Sequence, residues 1–312
     1  MDYRLMLLCI VFVPCIGAIF LPFLGRVSAG LRNIVALGLV LVSLIFAAAI
    51  APGVFSGNNV EVSIPFNNSF DFLLYADGLA VFMAIVSALL SSIIIFYSFG
   101  YISHYENQNE YYLMVVLFLG AMMGLVFSAN LIFLYLFWEI TAITSWRLIG
   151  FFREKQHVIR ADKAFLVTMF GSLLMLIGFV SIYQQAGSFE LRVIKETLGA
   201  NHLSNLAVVL ILAGILSKSA TLPFHTWLPD AGVAPSPVTA LLHAAILVKI
   251  GVYVFARLFI ATFTVDEFWH TVVPIIAGAS ALVAAGAAMI ETDLKRIIAY
   301  STVSQIGFIF LG

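Results

Sequence analysis

A chain of 312 residues that is 62% hydrophobic and only 10% charged, with a mean hydropathy of +1.09, is far too apolar for a soluble domain, in which about a quarter of residues are charged. Its formal net charge of -1 provides no basic surface for nucleic acid. What remains is a polytopic protein whose main surroundings are the lipid bilayer.

The first segment, MDYRLMLLCIVFVPCIGAIFLPFLG, holds about twenty apolar residues, longer than a signal-peptide core, and predicts a retained membrane helix. Cys9 and Cys15 both fall in it without metal-ligand spacing, so they read as packing residues rather than a disulfide or redox pair. Taken in order, apolar runs of membrane length fall at about 5–25, 33–52, 77–100, 111–128, 131–152, 163–184, 204–223, 237–260, 268–290 and 296–312. The expected fold class is therefore all-α: a polytopic membrane bundle of about ten transmembrane helices. Between spans two and three, the alternation in VEVSIPF predicts a short hairpin on the membrane surface. Asp71 and Asp77 beside it read as solvated loop carboxylates, although they could draw cations. Between spans six and seven, GSFELRVIKETLGANHL predicts a short amphipathic interfacial helix.

Lysine and arginine set the orientation. Placing the N-terminus outside puts Arg26, Arg32, Arg153, Lys155, Arg160, Lys163, Lys295 and Arg296 on the cytoplasmic side, against Arg192 and Lys195 opposite, a bias of eight to two. The last run gives about 17 residues, roughly 25 Å of helix against a hydrocarbon core near 30 Å. It is expected to end inside a complex or to be the front of something longer.

Three ionisable side chains interrupt these runs. Glu139 lies in LIFLYLFWEITAITSW, roughly 4 Å from the middle of span five by helical rise. Lys218 lies in LAVVLILAGILSKSATLPF, and Lys249 in LLHAAILVKIGVYVF. Charge in hydrocarbon is costly enough that such residues face a protein interior or a wet path. Desolvation opposes a charged Glu139 and a nearby cation favours it, so its proton affinity is adjustable; a protonated, hydrogen-bonded glutamic acid is the plainer alternative. Pro223 follows Lys218 by five residues and clashes with the carbonyl of Ser219, which predicts a helix break just after the lysine and freed carbonyls beside its ammonium. Snorkelling of Lys218 to the surface is the competing possibility.

In span eight, Ser236 and Pro237 read as an N-cap and first-turn pair. His243 and Lys249, six residues apart, lie about 240° apart around an ideal helix. A relay would have to pass between them through water or a hydroxyl, with Ser217, Ser219, Thr221 and Thr239 available as polar linings. His243 can equally be a packed, hydrogen-bonded core residue. Asp230 and His225 read as groups that tie their proline-rich loop, Arg147 as an interfacial anchor, and Asp293 as the N-cap of span ten. No CxxC pattern, haem motif, Walker loop or dinucleotide fingerprint is present, and no triad for hydrolysis. Neither a metal site, a catalytic residue nor a cofactor is expected.

Three segments, FWEITAITSWRLIGFF, GILSKSATLPFHTWLPDAGVAPSPVTALLHAAILVKIGVYVFAR and ETDLKRIIAYSTVSQIGFIFLG, resemble the antiporter-like membrane subunits of respiratory complex I, membrane-bound hydrogenases and Mrp sodium/proton antiporters. LVKIGVY, with a histidine six residues before its lysine, is most similar to the N-terminal part of the Mrp large subunit. The resemblance implies a fold of two inverted five-helix repeats, each with a discontinuous helix. Residues 1–110 would form N-terminal helices and the hairpin, 111–260 a complete ion-translocating repeat, and 261–312 the start of a second repeat, truncated or completed by a partner. It implies that Glu139 and Lys218 form an ion pair whose opening passes a proton, with His243 and Lys249 as the relay of span eight. The acid that follows the glycine of span six in some members is replaced here by Ser172. The partners implied are other antiporter-like and small membrane subunits, with a redox or hydrogenase module as a further candidate, in a prokaryotic inner membrane. The leading expectation is a proton-translocating subunit with no redox centre of its own. A quinone- or redox-coupled oxidoreductase subunit and a non-conducting membrane scaffold are the alternatives.

Overall fold

The computed structural model describes residues 2–67, 70–198 and 202–312. The chain divides into two compact units, residues 1–151 and 152–312.

In the first unit, α1 (Tyr3–Val27) and α2 (Ala29–Phe55) are joined by a single residue. Ser28 serves both: its N–H donates to the Leu24 carbonyl at 2.9 Å, and its hydroxyl accepts from the Leu31 N–H at 3.4 Å. Midway along, the Ser43 hydroxyl donates to the Ile10 carbonyl at 2.9 Å, a buried bond across the helix pair. The predicted hairpin forms from β1 (Val60–Asn67) and β2 (Phe70–Ala76), paired antiparallel; its turn at 68–69 lies outside the described residues. Asp71 accepts from the Ser63 hydroxyl at 2.8 Å, and Asp77 caps α3 (Gly78–Tyr101) through the Ala80 N–H at 3.0 Å. Both carboxylates thus have local structural duties.

Next, α4 (Gln108–Phe127) is buried around most of its circumference, from Tyr111 to Phe127, and α5 (Leu131–Ile149) follows after an Asn130 N-cap. The hairpin is fixed to the α4–α5 turn by Ala129 N–H donating to the Leu73 carbonyl at 3.0 Å and by Phe72 against Phe133, with ring centroids 4.7 Å apart. Two expected surface cations fold inward. Arg32 is buried, held by the side-chain oxygens of Asn109 at 2.6 Å and Gln108 at 2.8 Å and lying 4.6 Å over the Tyr112 ring. Arg147 pairs with Glu110 of α4. Both find oxygen partners inside the unit, which hydropathy counting does not register.

The second unit starts with α6 (Lys155–Ala186), followed by the short amphipathic α7 (Leu191–Leu198) where the interfacial helix was expected. The end of that run, Gly199 to Asn201, lies outside the described residues. After α8 (Asn205–Lys218) comes an irregular stretch containing α9 (Trp227–Asp230). Span eight is segmented: α10 (Ser236–Thr239), a π-helical turn (Ala240–Ala245), α11 (Leu247–Phe255) and a second π turn (Ala256–Ile260). The last two helices are α12 (Glu267–Ile290) and α13 (Leu294–Leu311), the latter capped by Asp293 through the Arg296 N–H at 3.0 Å, as expected.

Among the described residues, eight helices are long and apolar enough to cross a membrane: α1 to α6, Ser236–Ile260 and α12. The other two predicted spans are α8, a 14-residue apolar helix, and α13, of 18 residues. Span eight begins at Ser236 with Pro237 in its first turn, so Ser236 is not its N-cap.

Close approach holds α6 against α8. A Cβ built on Gly171 would strike the Ser217 hydroxyl and stand 2.9 Å from the Ala213 carbonyl. Small residues let membrane helices approach to backbone contact. Gly171→Val should therefore lower the midpoint of thermal unfolding of the purified protein, by an overpacking penalty of about 1–3 kcal/mol. An unchanged midpoint would show that the helices part without strain.

Candidate functional site

Lys218 is the last residue of α8 and is fully buried. The helix ends there through a turn rather than by meeting Pro223. Ala220 takes a left-handed conformation, φ 52°; its N–H donates to the Ser217 carbonyl at 3.3 Å, and the Thr221 N–H donates to the Leu216 carbonyl at 3.0 Å. This pair of bonds around a left-handed residue is the Schellman closure, made here with alanine in place of glycine. The indole N–H of Trp227 adds a second bond to the Ser217 carbonyl, at 2.9 Å. The carbonyls just before the lysine are consequently capped and not freed, contrary to the expectation from the proline alone.

The polar residues expected around Lys218 are buried with it. Ser217, Ser219, Thr221 and Thr239 are each under a tenth exposed. Ser217 donates to the Gly214 carbonyl at 2.8 Å, and Thr239 to the Ala234 and Pro235 carbonyls at 3.3 Å. Spending each proton on backbone leaves the hydroxyl oxygen as an acceptor. Ser172, one residue after Gly171 in α6, is buried and donates to the Met169 carbonyl at 2.9 Å.

Span eight departs from the ideal helix on which a 240° separation rests. Across the π turn the Ile246 N–H bonds to the Leu241 carbonyl at 2.9 Å, and Ile246 sits at φ -133°, ψ -54°. A wider turn shifts the register of everything beyond it. As a result the Lys249 ammonium reaches back and donates to the His243 carbonyl at 3.1 Å. The two residues thus meet through backbone. His243 is fully buried, and neither ring nitrogen has a hydrogen-bond partner among the described residues. Gly251, two residues past Lys249, lies against the turn after Lys218: a Cβ there would strike the Ser219 hydroxyl and stand 2.7 Å from the Ile215 carbonyl. The helix carrying Lys249 therefore packs directly on the end of the helix carrying Lys218. A further buried cation, Arg257, escaped notice at the sequence level; its guanidinium donates to the Tyr253 hydroxyl at 2.8 Å.

Glu139 stands in the first unit, on α5. Its two carboxylate oxygens are buried and make no hydrogen bond among the described residues. Neighbouring hydroxyls are committed to the helix itself: Thr141 to the Trp138 carbonyl at 2.7 Å and Thr144 to the Ile140 carbonyl at 2.8 Å. Among the described residues no group of histidine, cysteine, aspartate or glutamate could hold a metal ion.

Apolar membrane helices, a shorter one ending at a buried lysine and a longer one segmented around a lysine and a histidine, define a membrane protein with ionisable groups at irregular backbone. The chain belongs to the family described as NADH:quinone oxidoreductase/Mrp antiporter, TM, which matches residues 128–312. Residues 64–112 match the N-terminal part of chain 5 of NADH-ubiquinone oxidoreductase (complex I). It is an integral, multi-pass membrane protein. The Na(+)/H(+) antiporter subunit A1 of Staphylococcus haemolyticus is 37% identical over 306 residues, covering 96% of this chain and 38% of the relative. That of Staphylococcus aureus is 36% identical over 308 residues, with the same coverage. The chain thus spans under two-fifths of the length of these relatives. Among solved structures, the Mrp complex from Dietzia sp. DQ12-45-1b superposes with a TM-score of 0.88 at 28% identity, over 98% of this chain and 34% of that one. A chain of the archaeal membrane-bound sulfane sulfur reductase superposes equally well, at 24% identity over 98% of this chain and 64% of that one, a likeness of fold.

The left-handed Ala220 supplies a direct check on how α8 ends. Glycine tolerates that conformation and alanine does not, at about 1 kcal/mol. Ala220→Gly should raise the unfolding midpoint of the purified protein, and Ala220→Val should lower it. The opposite order would show that the helix is terminated elsewhere.

Proposed function

We propose that the chain is a proton-translocating, antiporter-like subunit of a multi-subunit ion-pumping membrane complex, of the Mrp sodium/proton antiporter kind or a related hydrogenase or NADH dehydrogenase. The observation that carries this is Lys218: a fully buried ammonium at the point where α8 stops, with the helix of His243 and Lys249 packed on the same turn. The names of the similar proteins support it, since two are sodium/proton antiporter subunits and one is a chain of an Mrp complex.

Glu139 and Lys218 act as a gate. While their charges face each other, the lysine keeps its proton; when they separate, desolvation drives the proton off the buried amine towards His243 and Lys249. The Lys249–His243 carbonyl bond holds the receiving amine at a defined place on span eight. Residues 111–260 form the translocating repeat, residues 1–110 its N-terminal surround, and 261–312 the beginning of a second repeat. Other antiporter-like and small membrane subunits complete the path, and a redox or hydrogenase module, or a counter-moving cation, provides the driving force. The membrane is a prokaryotic inner membrane with the N-terminus outside, in accord with the lysine and arginine bias.

In vesicles reconstituted with the complete complex, Lys218→Ala and Glu139→Gln should each lower proton flux by at least about tenfold, equivalent to ~1.4 kcal/mol of added barrier. Near-normal flux in both variants removes the gate.

A further inference from the structure

Lys163 and Lys295 count as cytoplasmic anchors when only loops are tallied, yet both point their ammonium groups at one stretch of chain. Lys163, in the third turn of α6, donates to the Asp230 carboxylate at 2.7 Å and to the Thr226 carbonyl at 3.2 Å. Lys295, in the first turn of α13, donates to the Ala234 carbonyl at 2.7 Å, and its stem lies over Gly232. All three acceptors fall between Thr226 and Ala234. The same stretch is fastened to α8 through Trp227, and the chain before it to α12, where the Leu222 N–H donates to the Ser280 hydroxyl at 3.1 Å. Two further groups face this place: Arg296 of α13 feels the Asp230 charge while pairing with Glu291 at 3.2 Å, and His225 feels that of Lys163.

The stretch is what joins the helix ending in Lys218 to the helix starting at Ser236, which bears His243 and Lys249. Where it is held decides where span eight begins. The Lys163–Asp230 pair is partly exposed, at 41% and 25% of the two side chains, and exposed ion pairs contribute too little to decide whether a protein folds. Their geometry is another matter, because charge-assisted bonds are short and directional. We infer that Lys163 and Lys295 are positioning residues, a pair of ammonium tethers from α6 and α13 that clamp residues 226–234 and so set the alignment of Lys218 with His243 and Lys249. One tether comes from the helix packed on α8 through Gly171. The other comes from the region assigned to the second repeat, so movement of α13 is transmitted to the start of span eight.

This clamp rests on the proton-carrying function proposed for the chain, and one set of variants separates the two. In vesicles containing the complete complex, Lys163→Met, Asp230→Asn, Lys295→Met and the charge-keeping Lys163→Arg are compared for the pH of half-maximal transport. Backbone amide exchange over residues 226–240 is measured on the same preparations. The methionine and asparagine variants should speed exchange by at least about tenfold and move the half-maximal pH by about half a unit or more. Lys163→Arg should restore both. Faster exchange with an unmoved pH profile makes the contacts merely structural and overturns the clamp, as does unchanged exchange. In either case the defect of Lys218→Ala stays in place. Full flux through Lys218→Ala, by contrast, overturns the proton gate whatever the exchange data show, and a clamp aligning that lysine falls with it.

Discussion

Backbone polar groups inside hydrocarbon must be satisfied within the protein, and this requirement governs both places where the second unit departs from regular helix. At the end of α8 the substitutes are local: the N–H groups of Ala220 and Thr221 and the indole of Trp227 take the last carbonyls. In span eight the substitute is a side chain, for the Lys249 ammonium bonds the His243 carbonyl across the π turn. In span eight, a residue proposed to move protons is thus itself part of what allows the helix to be irregular.

Packing fixes the same region from two sides. Gly171 of α6 closes on Ser217, just before Lys218, and Gly251 of α11 closes on Ser219, just after it. Both contacts lack room for a methyl group. The lysine therefore has little freedom to drift along its helix axis, and any change in its surroundings must come from the side chain or from neighbouring helices moving as bodies. Such rigid placement is what a group needs if its partner's approach or withdrawal is to alter its hold on a proton.

Much of this was legible in the sequence. Hydropathy located every long helix, the VEVSIPF alternation located the hairpin, and Asp293 announced its cap, because each is a local signal with its own period or position. Glu139, Lys218, His243 and Lys249 stood out because charged and polar groups are rare within apolar runs. What stayed hidden was conformational or long-range. Pro223 placed the end of α8 just after Lys218, where it falls, but alanine carries no sign of left-handed backbone, so Ala220 gave no warning of how the carbonyls there are capped. The π turn has no sequence signature, so an ideal-helix wheel gave no sign that the Lys249 ammonium would reach the His243 carbonyl. Lys163 and Asp230 are 67 positions apart, and no single-sequence rule pairs them.

A passive scaffold would have no use for these arrangements. A fully buried lysine replaced by leucine relieves desolvation and restores packing, and buried ions are often less stabilising than apolar residues of the same shape. Here the irregularities accumulate around such ions: a helix stopped at Lys218, a histidine enclosed with both ring nitrogens unpartnered among the described residues, a π turn bridged by Lys249, and a glutamate whose carboxylate is buried without a hydrogen bond. Each costs stability separately and none is required to cross a bilayer. Their concentration in a few helices, on a fold shared with an Mrp complex chain, is intelligible if the chain must change which of these groups holds a proton. The close glycine contacts on either side of Lys218 leave little slack in the same helices.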